Sequence, residues 1–182
     1  TSVSITGSQL LEFVSTTISS SNAEIFRTQQ EQEAYKGMGT TIVATLVIGS
    51  HIYVGHVGDS RLYLYRNRKV KRLTKDHSVV QDLIDRGFYT EREAREANVG
   101  HVVTRAMGTK SAVDVDTAEV PRLPYDLLML CSDGLTDMVS DWQIAETIAE
   151  NITDLDLAAK KLIALANQNG GKDNISVILM QT

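Results

Sequence analysis

The sequence predicts an α+β domain in which helices cover an antiparallel sheet or a pair of sheets. Apolar residues recur at helical intervals towards both ends of the chain. Between residues 40 and 73 the pattern changes to β-branched apolar runs broken by turns of two or three residues. Strands joined by turns this short are expected to be antiparallel, because a parallel crossover needs about a dozen residues or more. Strands clustered early with helices at both ends fit a layered α+β arrangement. No repeat, low-complexity tract or Pro-rich linker interrupts the 182 residues, and Pro121 and Pro124 lie close together. Residues 1–182 therefore read as a single domain.

Each element follows from a local signal. Residues 8–33 read as a helix whose apolar face carries Leu11, Val14, Ile18 and Ile25, with Ser and Gln opposite, ended by Gly37 and Gly39. Residues 40–48 and 51–57 read as strands around a Gly49-Ser50 hairpin turn. Gly58-Asp59-Ser60 is a second tight turn into a strand at 61–66, and Asn67-Arg68 turns again into 69–73. Residues 76–98 are polar and helical, with short helices at 78–86 and 90–97 parted by Gly87. Strands follow at 113–120 and 127–131. Ser140-Asp141-Trp142-Gln143 has capping-box form and opens a helix that buries Ile144, Ala145, Ile148 and Ala149. A last helix at 154–167 stops at Gly170-Gly171, and residues 175–180 close the domain as a strand.

Composition excludes several classes of function. A net charge of −5 argues against nucleic acid as the main partner, which needs a basic footprint. No apolar run approaches the roughly 20 residues that cross a bilayer, and no basic-then-apolar leader marks export. The single cysteine, Cys131, rules out an internal disulfide and suits a reducing compartment, which points to the cytoplasm.

Acidic residues at strand ends carry the chemistry. Asp59 sits in the turn after an apolar strand, Asp133 directly follows Leu127-Leu128-Met129-Leu130-Cys131-Ser132, and Asp173 directly precedes the closing strand. Asp137 lies four residues past Asp133, just after the Gly134 turn. Carboxylates at the rim of a core are costly to desolvate unless compensated, and hard cations such as Mg2+ and Mn2+ take such oxygen ligands. Position alone leaves turn chemistry as an equal explanation, since Asp beside Gly also stabilises turns.

Five strings in order decide between them: Gly37-Met38-Gly39-Thr40-Thr41, Val57-Gly58-Asp59-Ser60-Arg61, Leu73-Thr74-Lys75-Asp76-His77-Ser78, Ser132-Asp133-Gly134-Leu135-Thr136-Asp137 and Gly171-Lys172-Asp173-Asn174. In order and spacing they resemble bacterial members of the phosphatase 2C family of metal-dependent Ser/Thr protein phosphatases, from the first helix to the last strand. The resemblance implies a sandwich of two antiparallel sheets flanked by helices. It implies hydrolysis of phosphoserine and phosphothreonine on proteins by a metal-activated water that attacks phosphorus in line. Asp133 and Asp173 would be ligands of a two-metal centre, and Asp59 and Asp137 match positions of a third, weaker ion, with Mn2+ or Mg2+ as the metal. Residues 78–100 resemble the family's flap beside the active site. A monomer acting on phosphorylated proteins, opposed by a Ser/Thr kinase in the same cell, completes the expectation.

Two family elements that normally precede the first helix are absent: a strand with a phosphate-binding Arg, and Asp-Gly-Met-Gly-Gly-His, whose Asp bridges the metals. The N-terminal strands are thus expected to be missing, leaving open sheet edges. The 182 residues alone are expected to be a poor phosphatase and their parent a competent one. The rival classes are a regulatory module that binds phosphoproteins without turnover and a calcium-stabilised interaction domain.

Other residues carry blander expectations. Cys131 reads as an inert buried thiol, since no Arg follows within Ser132 to Val139 to bind phosphate. Ser60 lacks a recognisable His-Asp pair, so a turn role is expected. His77 reads as structural, and His51, His56 and His101 show no metal-cluster spacing. Arg66, Arg68, Lys69, Lys71 and Arg72 read as a solvated hairpin face, with a docking patch for acidic substrate as the sharper alternative. Asp114 and Asp116 lack the rest of a calcium loop.

Overall fold

In the computed structural model, residues 5–96 and 102–182 are described. The fold comprises two antiparallel sheets flanked by helices, as the resemblance implied. The chain divides into two compact units, one running through Asp59 and then from Lys75 to Val120, the other comprising Ser60–Thr74 and Pro121–Thr182.

The first unit opens with helix α1 (Gly7–Glu31), capped by a reciprocal box in which Thr6 Oγ1 accepts the Gln9 amide and Gln9 Oε1 accepts the Thr6 amide. Its buried stripe is Leu10, Val14, Ile18 and Asn22: Val14 and Ile18 are buried as expected, while Leu11 and Ile25 are only partly buried at its margin. Asn22 belongs in this stripe because it is saturated: Oδ1 accepts the Gly108 amide at 2.7 Å while Nδ2 donates to Lys110 O and Ser111 O. The stripe lies on β1 (Ile42–Ile48) and β2 (His51–Val57), a hairpin in which Ile48 pairs with His51 across Gly49-Ser50. Gly55 lets α1 approach closely, since a β-carbon there would meet Val14 and Ile18 at 2.5 and 2.8 Å. Helices α2 (Val79–Asp85) and α3 (Glu91–Glu96) lie in the segment 78–100 that resembles a flap, and residues 97–101 lie outside the described chain. His101 falls there too. Strand β5 (Asp116–Pro121) completes a sheet of order β1-β2-β5.

The second unit holds β3 (Arg61–Arg66), β4 (Lys69–Arg72), β6 (Leu127–Cys131) and β7 (Val177–Gln181) in the order β4-β3-β6-β7, every pair antiparallel. Three helices accompany it: α4 (Asp133–Thr136), α5 (Asp141–Glu150) and α6 (Leu155–Gln168). Ser140 and Gln143 form the expected capping box on α5, which buries Ile144, Ala145 and Ile148 against Met129, Leu135 and Leu162. Cys131 is buried in β6, as its apolar strand predicted.

Two expectations are corrected. The four early strands do not form one antiparallel run, because β2 and β3 belong to different sheets and do not pair. Gly58-Asp59-Ser60 is therefore a crossing between sheets, made possible by Gly58 at φ 107°. The Gly134 turn is instead the first turn of α4, with Asp133 as its first residue and Asp137 at its C-terminal cap.

Arg66 is also not part of a free basic face. Its guanidinium forks onto Asp126, Nε to Oδ1 at 2.8 Å and Nη2 to Oδ2 at 2.7 Å, and Asp126 is only 1% exposed.

Candidate metal centre

In the second unit, β6 and β7 diverge where two of the candidate aspartates stand. The ladder continues one step past Cys131–Val177, with the Ser132 amide donating to Ser176 O at 3.1 Å. The Ser132 hydroxyl then replaces the ladder, donating to Asn174 O at 3.1 Å and accepting the Ser176 amide at 3.0 Å. Gly134 packs directly on the opposing backbone, and a β-carbon on it would overlap Asn174 O and sit 3.1 and 3.5 Å from the carbonyl carbons of Asn174 and Asp173. Asp133 and Asp173 thus flank one backbone contact, although 39 residues separate them in sequence.

Both carboxylates are oriented locally. Asp133 Oδ1 accepts the Gly134 amide at 2.8 Å, and Asp173 Oδ1 accepts the Asn174 amide at 2.6 Å. Asp137 follows one turn later, its amide donating to Asp133 O at 2.9 Å, and its side chain is exposed. The donors are all hard carboxylate oxygens on a braced backbone, a set whose chemistry fits Mg2+ or Mn2+.

In the first unit Asp59 is buried at 6% exposure, directly after Gly58. Around that glycine lies a cluster with no sequence signal: His56, His77 and Asp116, whose ligand atoms all fall within 4.8 Å of one another. That spacing is short enough for a metal, but the hydrogen bonds use the ligand atoms otherwise. His77 Nδ1 accepts the Gly58 amide at 3.0 Å, so the neutral ring carries its proton on Nε2, which lies between Asp116 Oδ2 at 3.3 Å and Arg105 Nη1 at 3.0 Å. Arg105 Nη1 donates to Asp116 Oδ1 at 2.6 Å and to Asp114 O at 3.0 Å. His56 stacks on His77 with ring centroids 4.7 Å apart, and its Nε2 meets Lys75 O at 2.8 Å. Burial pushes the His77 pKa down, and Arg105 and His56 act in the same sense against the upward pull of Asp116. Burial raises the Asp116 carboxyl, but Arg105 and His77 outweigh it and hold the group below its usual range.

Sequence reasoning missed this cluster. Its members, His56, His77 and Asp116, come from three separate segments.

Comparison with known proteins identifies the family. Residues 6–175 match the family described as Protein phosphatase 2C. Serine/threonine phosphatase stp of Listeria monocytogenes serotype 4b is 36% identical over 181 residues, covering 100% of this chain and 71% of that protein. The crystal structure of serine/threonine phosphatase Stp1 from Staphylococcus aureus superposes with a TM-score of 0.90 at 35% identity, over 100% of this chain and 71% of that one. The catalytic domain of the serine threonine protein phosphatase PstP, in complex with two manganese ions, gives a TM-score of 0.81 at 34% identity over 96% of this chain and 72% of that one. The chain belongs to the protein phosphatase 2C family. Among the described residues no helix is long and apolar enough to cross a membrane.

Proposed function

We propose that this chain supplies most of a metal-dependent Ser/Thr protein phosphatase that hydrolyses phosphoserine and phosphothreonine on proteins. The observation that carries this reading is the contact of Gly134 with the backbone of Asp173-Asn174, which brackets two aspartates in a family of phosphatases. Asp133 and Asp173 are the ligands assigned to the two-metal centre, and Asp59 and Asp137 those of a third ion, with Mn2+ or Mg2+ as the metal. When bound, such ions supply a water nucleophile at neutral pH and draw charge from phosphoryl oxygens. The protein's own part is to hold the acidic side chains rigidly: Ser132 ties the two strand ends together, and the amides of Gly134 and Asn174 fix the carboxylates.

The family match crosses both compact units, which supports residues 1–182 acting as one catalytic domain. Phosphorylated proteins are the substrates on this reading, a Ser/Thr kinase is the opposing activity, and the protein works as a cytoplasmic monomer.

The test is hydrolysis of p-nitrophenyl phosphate with Mn2+ by three proteins: this chain, its full-length parent, and the parent carrying Asp133→Asn. Turnover by the parent that the substitution abolishes is the expected result. A folded, metal-loaded parent with no turnover would overturn the assignment. Turnover by the 182 residues alone would show that the preceding family segment is dispensable.

A further inference from the structure

We propose that His77 is a positioning residue for Asp59, holding both polar backbone groups of Gly58 so that the carboxylate that follows is presented in one place. This rests on Asp59 being a metal ligand, as read above. The clamp has two points: Nδ1 of His77 accepts the Gly58 amide at 3.0 Å, and the His77 amide donates to Gly58 O at 2.9 Å. Gly58 carries no side chain of its own and lies against Thr41. Its φ is 107°, and a β-carbon would lie 2.5 Å from Thr41 Cβ and 3.2 Å from Thr41 Cα. The backbone path into Asp59 is therefore set by Thr41 on one side and His77 on the other.

His77 is in turn braced from three directions. Its carbonyl accepts the Thr104 amide at 2.8 Å, His56 stacks on its ring, and Asp116 faces Nε2. The Gly58 amide can only donate, so it requires Nδ1 bare and leaves the Nε2 proton to Asp116, whose other oxygen is held by Arg105. The chain Arg105–Asp116–His77–Gly58 runs outward from a surface ion pair to the residue before Asp59, in the manner of outer-shell partners that orient metal ligands.

The experiment uses the full-length protein and an isosteric pair. In His77→Asn the side-chain oxygen falls near the former Nδ1 and can still accept from Gly58. In His77→Gln the oxygen falls near the former Nε2 and cannot. Mn2+ binding is measured by calorimetric titration at matched folded fraction, with Mn2+-dependent p-nitrophenyl phosphate turnover beside it. Expected is a weakest Mn2+ step about tenfold weaker in His77→Gln and within about threefold of wild type in His77→Asn, outer-shell losses being roughly 10–100-fold. Asp116→Asn, which leaves the ring in place but loosens its tautomer, should weaken the same step by about threefold, and it stands in if His77→Gln does not fold. Equal effects of Asn and Gln, or no effect of either with Asp116→Asn also silent, overturn the proposal. Asp59→Asn separates the two layers. If it removes the weakest step while the His77 variants leave it intact, only the positioning role falls. If it leaves every step unchanged, the ligand assignment of Asp59 falls and takes the proposal with it.

Discussion

Replacing Gly134 by alanine tests whether the backbone contact beneath the acidic site sets its spacing. The added methyl would lie 3.1 Å from the carbonyl carbon of Asn174 and overlap its oxygen. Carbon pairs rest at roughly 3.5–4.0 Å, so the two segments must part by about half an ångström or more. Gly134 lies in α4 with an ordinary backbone conformation, so the cost is steric and not one of left-handed strain. Overpacking of this kind costs about 1–3 kcal/mol, which for a chain of this size lowers the melting temperature by roughly 2–10 °C. The shift also moves Asp173 relative to Asp133. Mg2+ tolerates little departure from near-ideal octahedral distances, while loosely held ligands lose about 10-fold or more in affinity. Thermal melts with and without Mn2+, together with Mn2+ titration calorimetry on the full-length protein, read both effects. A variant that melts with the wild type and binds Mn2+ equally well would show that the Gly134–Asn174 approach does not control the site.

Arg66→Met leaves the Asp126 carboxylate buried without its guanidinium fork, though the Leu123 amide still donates to it at 2.7 Å, and should cost about 3 kcal/mol by denaturant unfolding. Burial raises the Asp126 pKa, but the hydrogen bonds from Arg66 and Leu123 and the charge of Arg122 outweigh it and hold the carboxyl below its usual range. Its contribution to stability is thus complete above the unfolded value near about pH 4 and is lost as pH falls through the folded value. Asp126→Asn should accordingly flatten the acid limb of a plot of stability against pH. Asn22→Leu would extend the apolar stripe of α1, yet it should destabilise by about 1–3 kcal/mol in thermal melts, because it strips the buried Gly108 amide of its acceptor. A stabilised leucine variant would show that the stripe is governed by burial alone.

What could be read from residues alone was what is local. Strands 51–57, 61–66 and 127–131 have the same bounds in the structure as in the sequence, since β-branched and apolar runs end there at turn residues. The Ser140–Gln143 cap was equally plain, because all its atoms lie within four residues. The change of sheet at Gly58 was not legible: a three-residue turn looks the same whether it closes a hairpin or crosses between sheets, and the difference lies in the φ of one glycine and the Thr41 beneath it. Asn22 escaped notice for a related reason, its partners Gly108, Lys110 and Ser111 lying far along the chain. The acidic set was picked out by family resemblance, since position left turn chemistry as an equal explanation. The His56–His77–Asp116 cluster had no signal, because convergence of separated segments is a property of the fold.

The order of the β4-β3-β6-β7 sheet fixes when it can form during synthesis. The β1–β2 hairpin closes across Gly49-Ser50 as soon as it is made, whereas Leu62 must wait for Leu130, and Leu130 for Ile178. Ser132 has nothing to tie until Asn174 and Ser176 leave the ribosome, and β6 keeps one unpaired edge until residues 177–181 follow. Sheets that depend on such distant pairings fold slowly and expose apolar strand edges while they wait. The Asp133–Asp173 arrangement therefore cannot form before this closing segment has been made, and the apolar edge of β6 is open to aggregation up to that moment.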